Sequence, residues 1–149
     1  MICMDIDYMQ DYADFTVNKQ RFPDLAALSA ELKAQGIRLV PIIDAGVRID
    51  PENPVCAEGL ANGYFCTKAD GTPFIAAVWP GKAYFADFLR PEVREWFGRQ
   101  YKALTDCGIE GFWNFSHYDL SVSYPDVVVE NVHLGDSLMS LGYRLRNQD

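Results

Sequence analysis

Short apolar runs alternate with helical patterns along this chain, and that order limits its fold more than any other feature. Met1-Ile2-Cys3-Met4-Asp5-Ile6-Asp7-Tyr8 reads as a strand. A natural domain rarely opens inside a strand, so the chain is expected to be a fragment. A polar, aromatic loop, Gln10 to Phe22, follows. Pro23-Asp24 opens a helix to about Gln35, with Leu25, Leu28 and Leu32 at helical spacing and Gly36 ending it. Ile37 to Asp44 has the pattern of a strand buried on both faces, although Pro41 counts against a central position. A long excursion then runs from Ala45 to about Leu89, with a hairpin turn expected over Lys68 to Pro73 between aromatic-rich arms. Pro91 opens a second helix to about Cys107, striped by Val93, Phe97, Tyr101 and Leu104 and capped by Gly108. Gly111 to Phe115 is a third strand, and a further helix is expected from about Val127. Strand–helix alternation implies about three parallel strands with right-handed crossovers, flanking helices and a hairpin excursion. No linker divides residues 1–149, so one domain is expected.

Composition narrows the function. The chain is 49% hydrophobic and 13% aromatic, which supplies a core and excludes a disordered or collagen-like polymer. A net charge of −8 argues against nucleic acid and against an anionic membrane surface, while leaving a neutral sugar open. No apolar run reaches the roughly 18–20 residues of a membrane helix. The N-terminus has no basic stretch leading into an apolar segment, so no secretory signal is expected. Cys3, Cys56, Cys66 and Cys107 form no CxxC pair. Four reduced, mostly buried thiols in a cytoplasmic protein are the expectation.

In parallel α/β folds, functional side chains gather at the carboxyl ends of strands. The three ends here carry Asp5-Ile6-Asp7-Tyr8-Met9, Asp44-Ala45-Gly46 and Trp113 to His117, and the excursion adds Val78-Trp79-Pro80-Gly81. Carboxylates accept hydrogen bonds from sugar hydroxyls, and an indole covers the apolar face of a pyranose. Acidic strand ends also serve simply to meet helix N-termini or solvent, and both readings stand. Asp7 has a second role open to it, anchoring a loop through backbone N–H groups. Phe15, Phe22, Phe85 and Phe88 are expected to pack rather than to touch a ligand.

These blocks carry a resemblance. Met4-Asp5-Ile6-Asp7-Tyr8-Met9, Asp14-Phe15-Thr16, Arg21-Phe22-Pro23-Asp24 and Val40 to Gly46 resemble family 31 of the glycoside hydrolases. So do Val78-Trp79-Pro80-Gly81, Asp87-Phe88-Leu89-Arg90-Pro91 and Gly108 to Asn114, with the order kept over residues 1–114. Bacterial α-glucosidases are the relatives implied. The resemblance implies part of a (β/α)8 TIM-type barrel that hydrolyses α-linked glucosides with retention, using one aspartate as nucleophile and another as acid/base. It implies that Asp5 binds sugar hydroxyls, that Ile6 packs near the sugar, that Asp44 is an acidic site residue, and that Trp79 and Trp113 wall the pocket. No metal or organic cofactor is implied. The ligand class is an α-glucoside or an oligosaccharide of maltose or isomaltose type.

The sequence departs from that family after Asn114. Phe115 stands where the family's pattern has its nucleophilic aspartate, and residues 115–149 diverge. A phenyl ring cannot attack an anomeric carbon. The strand that would carry the acid/base aspartate is expected to be absent, because a complete barrel takes about 250 residues. Ser116, His117, Asp119 and Ser121 could suggest a nucleophile and base, but no GxSxG elbow surrounds them. His117 and His133 with Asp119 and Asp126 have no metal-site spacing. The expectation is an inactive α-glucosidase fragment. Its alternatives are a non-catalytic sugar-binding module and a partial barrel that forms homo-oligomers through open sheet edges.

Overall fold

The parallel core is built from strands whose side chains alternate between a helix-covered face and an open one. The computed structural model describes residues 1–78, 81–114 and 120–131. In chain order the elements are β1 (Ile2–Met4), α1 (Leu25–Ala34), β2 (Leu39–Ile43), β3 (Gly46–Arg48), α2 (Pro54–Ala61), β4 (Ile75–Val78) and β5 (Gly81–Phe85). They continue as α3 (Pro91–Gln100), α4 (Lys102–Thr105), β6 (Gly111–Asn114), α5 (Leu120–Ser123) and β7 (Val128–Asn131).

Two sheets form. β1, β2, β6 and β7 pair in that order, all parallel, with Met4 opposite Pro41, Ile43 opposite Asn114 and Phe112 opposite Val129. β3, β5 and β4 make a separate antiparallel sheet in which β5 is central. Neither sheet closes into a barrel, and β1 and β7 are the edges of the parallel one among the described residues.

The two main helices begin and end where local chemistry directs. The Asp24 carboxylate accepts from the Ala27 N–H at 2.9 Å, which satisfies an otherwise orphan donor at the start of α1. Gly36 follows α1 at φ +77°, a left-handed residue that lets the chain turn back towards β2. Pro91 opens α3, where its missing N–H costs nothing. Val93, Trp96, Phe97, Tyr101 and Leu104, from α3 and its continuation, are all fully buried. Tyr101 meets Phe112 of β6 edge-on at 5.0 Å, and Phe15 wedges against both Phe97 and Tyr101 at 5.0 and 5.1 Å. This aromatic stack covers the outer face of the parallel sheet. Phe88 joins it against Phe97 at 5.0 Å, while Phe85 leans on Phe74 at 5.8 Å.

Several expectations change. Among the described residues there are four parallel strands rather than about three. Val128–Asn131 form strand β7 rather than the start of a helix, and the rest of the expected helix lies outside the described residues. The parallel pairing of Phe112 with Val129 and of Gly111 with Val128 draws these valines into the sheet, where β-branched side chains pack well. β2 is not buried on both faces: Leu39, Pro41 and Ile43 are buried, whereas Val40 and Ile42 are only half-buried. Pro41 nevertheless sits inside this central strand. The excursion contains helix α2 and the antiparallel sheet besides its hairpin turn. That turn is real: Lys68 N–H donates to the Thr72 carbonyl at 2.8 Å, and Asp70 accepts from the Thr72 N–H at 2.9 Å. Of the four free cysteines only Cys56 is buried, and Cys3 is exposed. No helix among the described residues is long and apolar enough to cross a membrane.

Among the described residues, none covers the inner face of the parallel sheet. Met1, Cys3, Val40, Gly111, Phe112, Val128 and Glu130 line a hollow of about 300 Å³ there. A Cβ on Gly111 would approach Val40 Cγ2 to 3.6 Å, so the absence of a side chain at this position deepens the hollow.

Candidate functional site

The site grows from the carboxyl ends of β1 and β2. β1 stops because the chain turns at once into a single 3-10 turn, Ile6–Tyr8, whose N-cap is Asp5. The Asp5 Oδ1 accepts from the Ile6 N–H at 2.8 Å. A carboxylate offers about four lone-pair positions, so this bond leaves Asp5 free to accept from a ligand as well. The pairing of Met4 with Pro41 sets Asp5 one step along from that pair, level with Ile42 on the next strand, with Asp44 two positions further on, just past the end of β2. Neighbouring strands lie about 4.8 Å apart. Cys3, Met4, Asp5, Val40 and Ile42 line a cavity of about 280 Å³ over these two paired strands. Ile6 is half-buried beside it.

Asp44 is half-buried, and that burial pushes its carboxyl above the usual carboxylate range. The negative charge of Asp5 pushes the same way, so the two side chains act on one local field. Among the described residues no group of three or more His, Cys, Asp or Glu could hold a metal ion. The arrangement suits a neutral, hydroxyl-bearing ligand, because paired carboxylates accept hydrogen bonds and repel anions.

Two further residues belong to this end of the sheet, though the sequence alone assigns them no role. Asp14 is 4% exposed, and its Oδ1 accepts from the backbone N–H of Asp44 at 2.9 Å. Burial raises its carboxyl well above the ordinary range; the Asp44 N–H pulls it back and the Asp44 charge raises it further. Tyr8 is 1% exposed and donates its hydroxyl to the Ile42 carbonyl at 2.9 Å. Burial, then the charge of Asp14, hold its phenol well above the ordinary range. Both residues lie inside the resembling blocks. Its place in the resembling block Asp14-Phe15-Thr16 was the available signal for Asp14.

The remaining expected residues fall differently. Asp7 does tie down the following loop, but through Arg21 rather than backbone N–H groups: the guanidinium meets its Oδ1 at 3.0 Å and its carbonyl at 3.1 Å. That pair is exposed and contributes little to stability. Trp113 lies in β6 opposite Ile42, one strand from Asp44. Trp79, Phe115, Ser116, His117, Asp119 and His133 lie outside the described residues.

Comparison with known proteins identifies the family of the chain. A family model, the glycosyl hydrolases family 31 TIM-barrel domain, matches residues 1–133. Alpha-glucosidase 2 of Bacillus thermoamyloliquefaciens is 47% identical over 114 residues, covering 76% of this chain and 14% of that protein. The alpha-glucosidase of Saccharolobus solfataricus is 30% identical over 146 residues, covering 98% of this chain and 20% of that protein. The crystal structure of the family 31 alpha-glucosidase from Bacteroides thetaiotaomicron superposes with a TM-score of 0.69 at 38% identity, covering 76% of this chain and 19% of that one. The chain thus spans at most a fifth of the length of these relatives.

Proposed function

The chain belongs to the TIM-barrel domain of glycosyl hydrolase family 31, and from that premise we propose that it carries part of the sugar-holding wall of an α-glucosidase. Asp5 and Asp44 accept hydrogen bonds from the hydroxyls of an α-glucoside of maltose or isomaltose type, and the family resemblance assigns Ile6, Trp79 and Trp113 to the same pocket. The observation that carries this reading is the convergence of Asp5 and Asp44 at adjacent strand ends, where the charge of one perturbs the other. Phe115 stands at the nucleophile position, and an aromatic hydrocarbon supplies no lone pair for a glycosyl-enzyme bond. The 149-residue chain therefore holds sugar without cleaving it.

Calorimetric titration with methyl α-glucoside and with maltose tests the proposal, alongside release of p-nitrophenol from p-nitrophenyl α-glucoside. Millimolar binding that Asp5→Ala removes, with no turnover, is the expected result. Absence of heat at tens of millimolar sugar, or hydrolysis that survives Asp5→Ala, overturns it.

A second reading, self-association through the open sheet, has its own support. Met1 and Ile2 at one edge are 85% and 45% exposed, and Val128 at the other is 76% exposed. Strand edges that are unpaired among the described residues, next to an apolar hollow, invite pairing with another copy.

A further inference from the structure

We infer that Asp14 is the positioning residue of the candidate sugar site, holding the carboxyl end of β2 through the Asp44 N–H so that the Asp44 carboxylate faces the ligand beside Asp5. The inference rests on the sugar-binding reading and extends it to a residue outside the pocket wall.

The segment between β1 and α1 reaches over to β2 and holds it at two points. Tyr8 donates to the Ile42 carbonyl, and Asp14 accepts from the Asp44 N–H two residues on. β2 ends at Ile43, so Asp44 is the first residue beyond the strand ladder, and its N–H finds its partner in a side chain. A main chain fixed there fixes the direction of its Cα–Cβ bond and so narrows where the side chain can reach.

The loop that delivers Asp14 is built at a cost. Asp11, Tyr12 and Phe15 all have left-handed backbones, at φ 49°, 59° and 62°, although none is glycine. Such conformations persist only where the surroundings enforce them, and they gather at functional sites. Here the enforcement is visible. The Thr16 hydroxyl donates to the Ala13 carbonyl at 2.5 Å and accepts from the Gln10 N–H at 2.9 Å. An Arg48 guanidinium nitrogen donates to the Asp11 carbonyl. Phe15 is clamped by Phe97 and Tyr101. Asp14 lies between two of these left-handed residues and the wedge, and it buries a carboxyl completely. An apolar residue there would be cheaper to bury but could not receive the Asp44 N–H.

The test uses the 149-residue chain and methyl α-glucoside. Asp14→Leu removes the acceptor, Asp14→Asn keeps a carbonyl oxygen, and Asp44→Ala removes the side chain being positioned. Asp14→Leu is expected to weaken binding at least fivefold and Asp14→Asn to restore it to within about threefold. On the Asp44→Ala background, Asp14→Leu is expected to cost less than twofold more, because Asp14 acts through Asp44. In parallel, amide hydrogen exchange at Asp44 should accelerate at least tenfold in Asp14→Leu while Leu104 in the core stays protected. Additive losses in the double variant, an Asp14→Asn as weak as Asp14→Leu, or an unchanged Asp44 exchange rate each overturn the inference. If the wild type binds no sugar, the sugar-binding reading fails and the positioning role at this site fails with it; unchanged Asp44 exchange alongside normal binding overturns the positioning role alone. Should Asp14→Leu not fold, a through-hydrogen-bond coupling from the Asp44 amide to the Asp14 carboxyl carbon in the wild type decides, and its absence overturns the inference.

Discussion

The Tyr8 hydroxyl donates to the Ile42 carbonyl at 2.9 Å, joining the turn after the first strand to the backbone of the second. Tyr8 is almost fully buried, so no water replaces the bond when the hydroxyl is removed. Tyr8→Phe keeps the ring and deletes only this contact. It is expected to lower stability by about 0.5–1.5 kcal/mol, the usual net value of such a bond. Urea unfolding of the two proteins at one pH measures it, and equal midpoints would remove Tyr8 from the clamp on β2.

A steric prediction separates two glycines near α2. A Cβ at Gly59 would lie 2.4 Å from Phe65 Cζ and 3.0 Å from Trp96 Cη2, inside the packed aromatic core. Gly59→Ala should therefore destabilise the chain by about 1–3 kcal/mol through overpacking. Gly63 has open space but a φ of +62°, so Gly63→Ala carries only the backbone cost of about 1–2 kcal/mol. Thermal unfolding with near-ultraviolet dichroism distinguishes the two, because only Gly59→Ala should perturb the signal of Trp96.

These contacts mark where the sequence could be read and where it could not. The helices were legible because Leu25, Leu28 and Leu32, or Val93, Phe97, Tyr101 and Leu104, recur at the period of a helix, and Gly36 and Gly108 turn left-handed at the ends. That is local information. β7 was not legible, since Val127-Val128-Val129 suits a short buried helix as well as a strand until β6 is there to pair with it. The antiparallel sheet was lost for the same reason: Gly46 pairs with Phe85, far along the chain. In the site, Asp5 and Asp44 stood out because strand ends can be counted from the alternation. Asp14 did not, because its meaning is a hydrogen bond to a residue 30 positions away.

The pH dependence of stability has a definite sign. Burial raises the Asp14 carboxyl in the folded chain above its unfolded value, which lies near 3.9. Between that value and the raised one, the native state holds a proton that the unfolded state has lost. Stability therefore falls as pH rises through this window. Asp44 contributes in the same direction. Asp70, Glu92 and Glu110, held low by Thr72, by the backbone and Arg90, and by Lys33, contribute oppositely and lose their share as pH falls. Asp14→Asn removes one titration and leaves those others in place. Its stability relative to the wild type should rise between pH 4.5 and pH 7.5, measured by urea unfolding at both. A constant difference would mean that the Asp14 carboxyl titrates alike in both states.

Self-association is the last expectation, and two opposing forces decide its conditions. The apolar hollow lined by Met1, Cys3, Val40, Gly111 and Val128 favours contact with another copy. The charge of −8 on each chain opposes it at long range. Salt screens the repulsion, with a Debye length of about 10 Å at 0.1 M, but leaves the apolar attraction intact. Light scattering should therefore show a larger species whose fraction grows with ionic strength at tens of micromolar chain. Cys3 is exposed, so a reductant must be present to exclude a disulfide between copies. Val128→Lys places a charge on a side chain already 76% exposed, which leaves the fold intact while spoiling the face. It should return the chain to a monomer at all salt concentrations. A wild type that stays monomeric in 0.5 M salt would end the self-association reading and leave the sugar-holding one untouched.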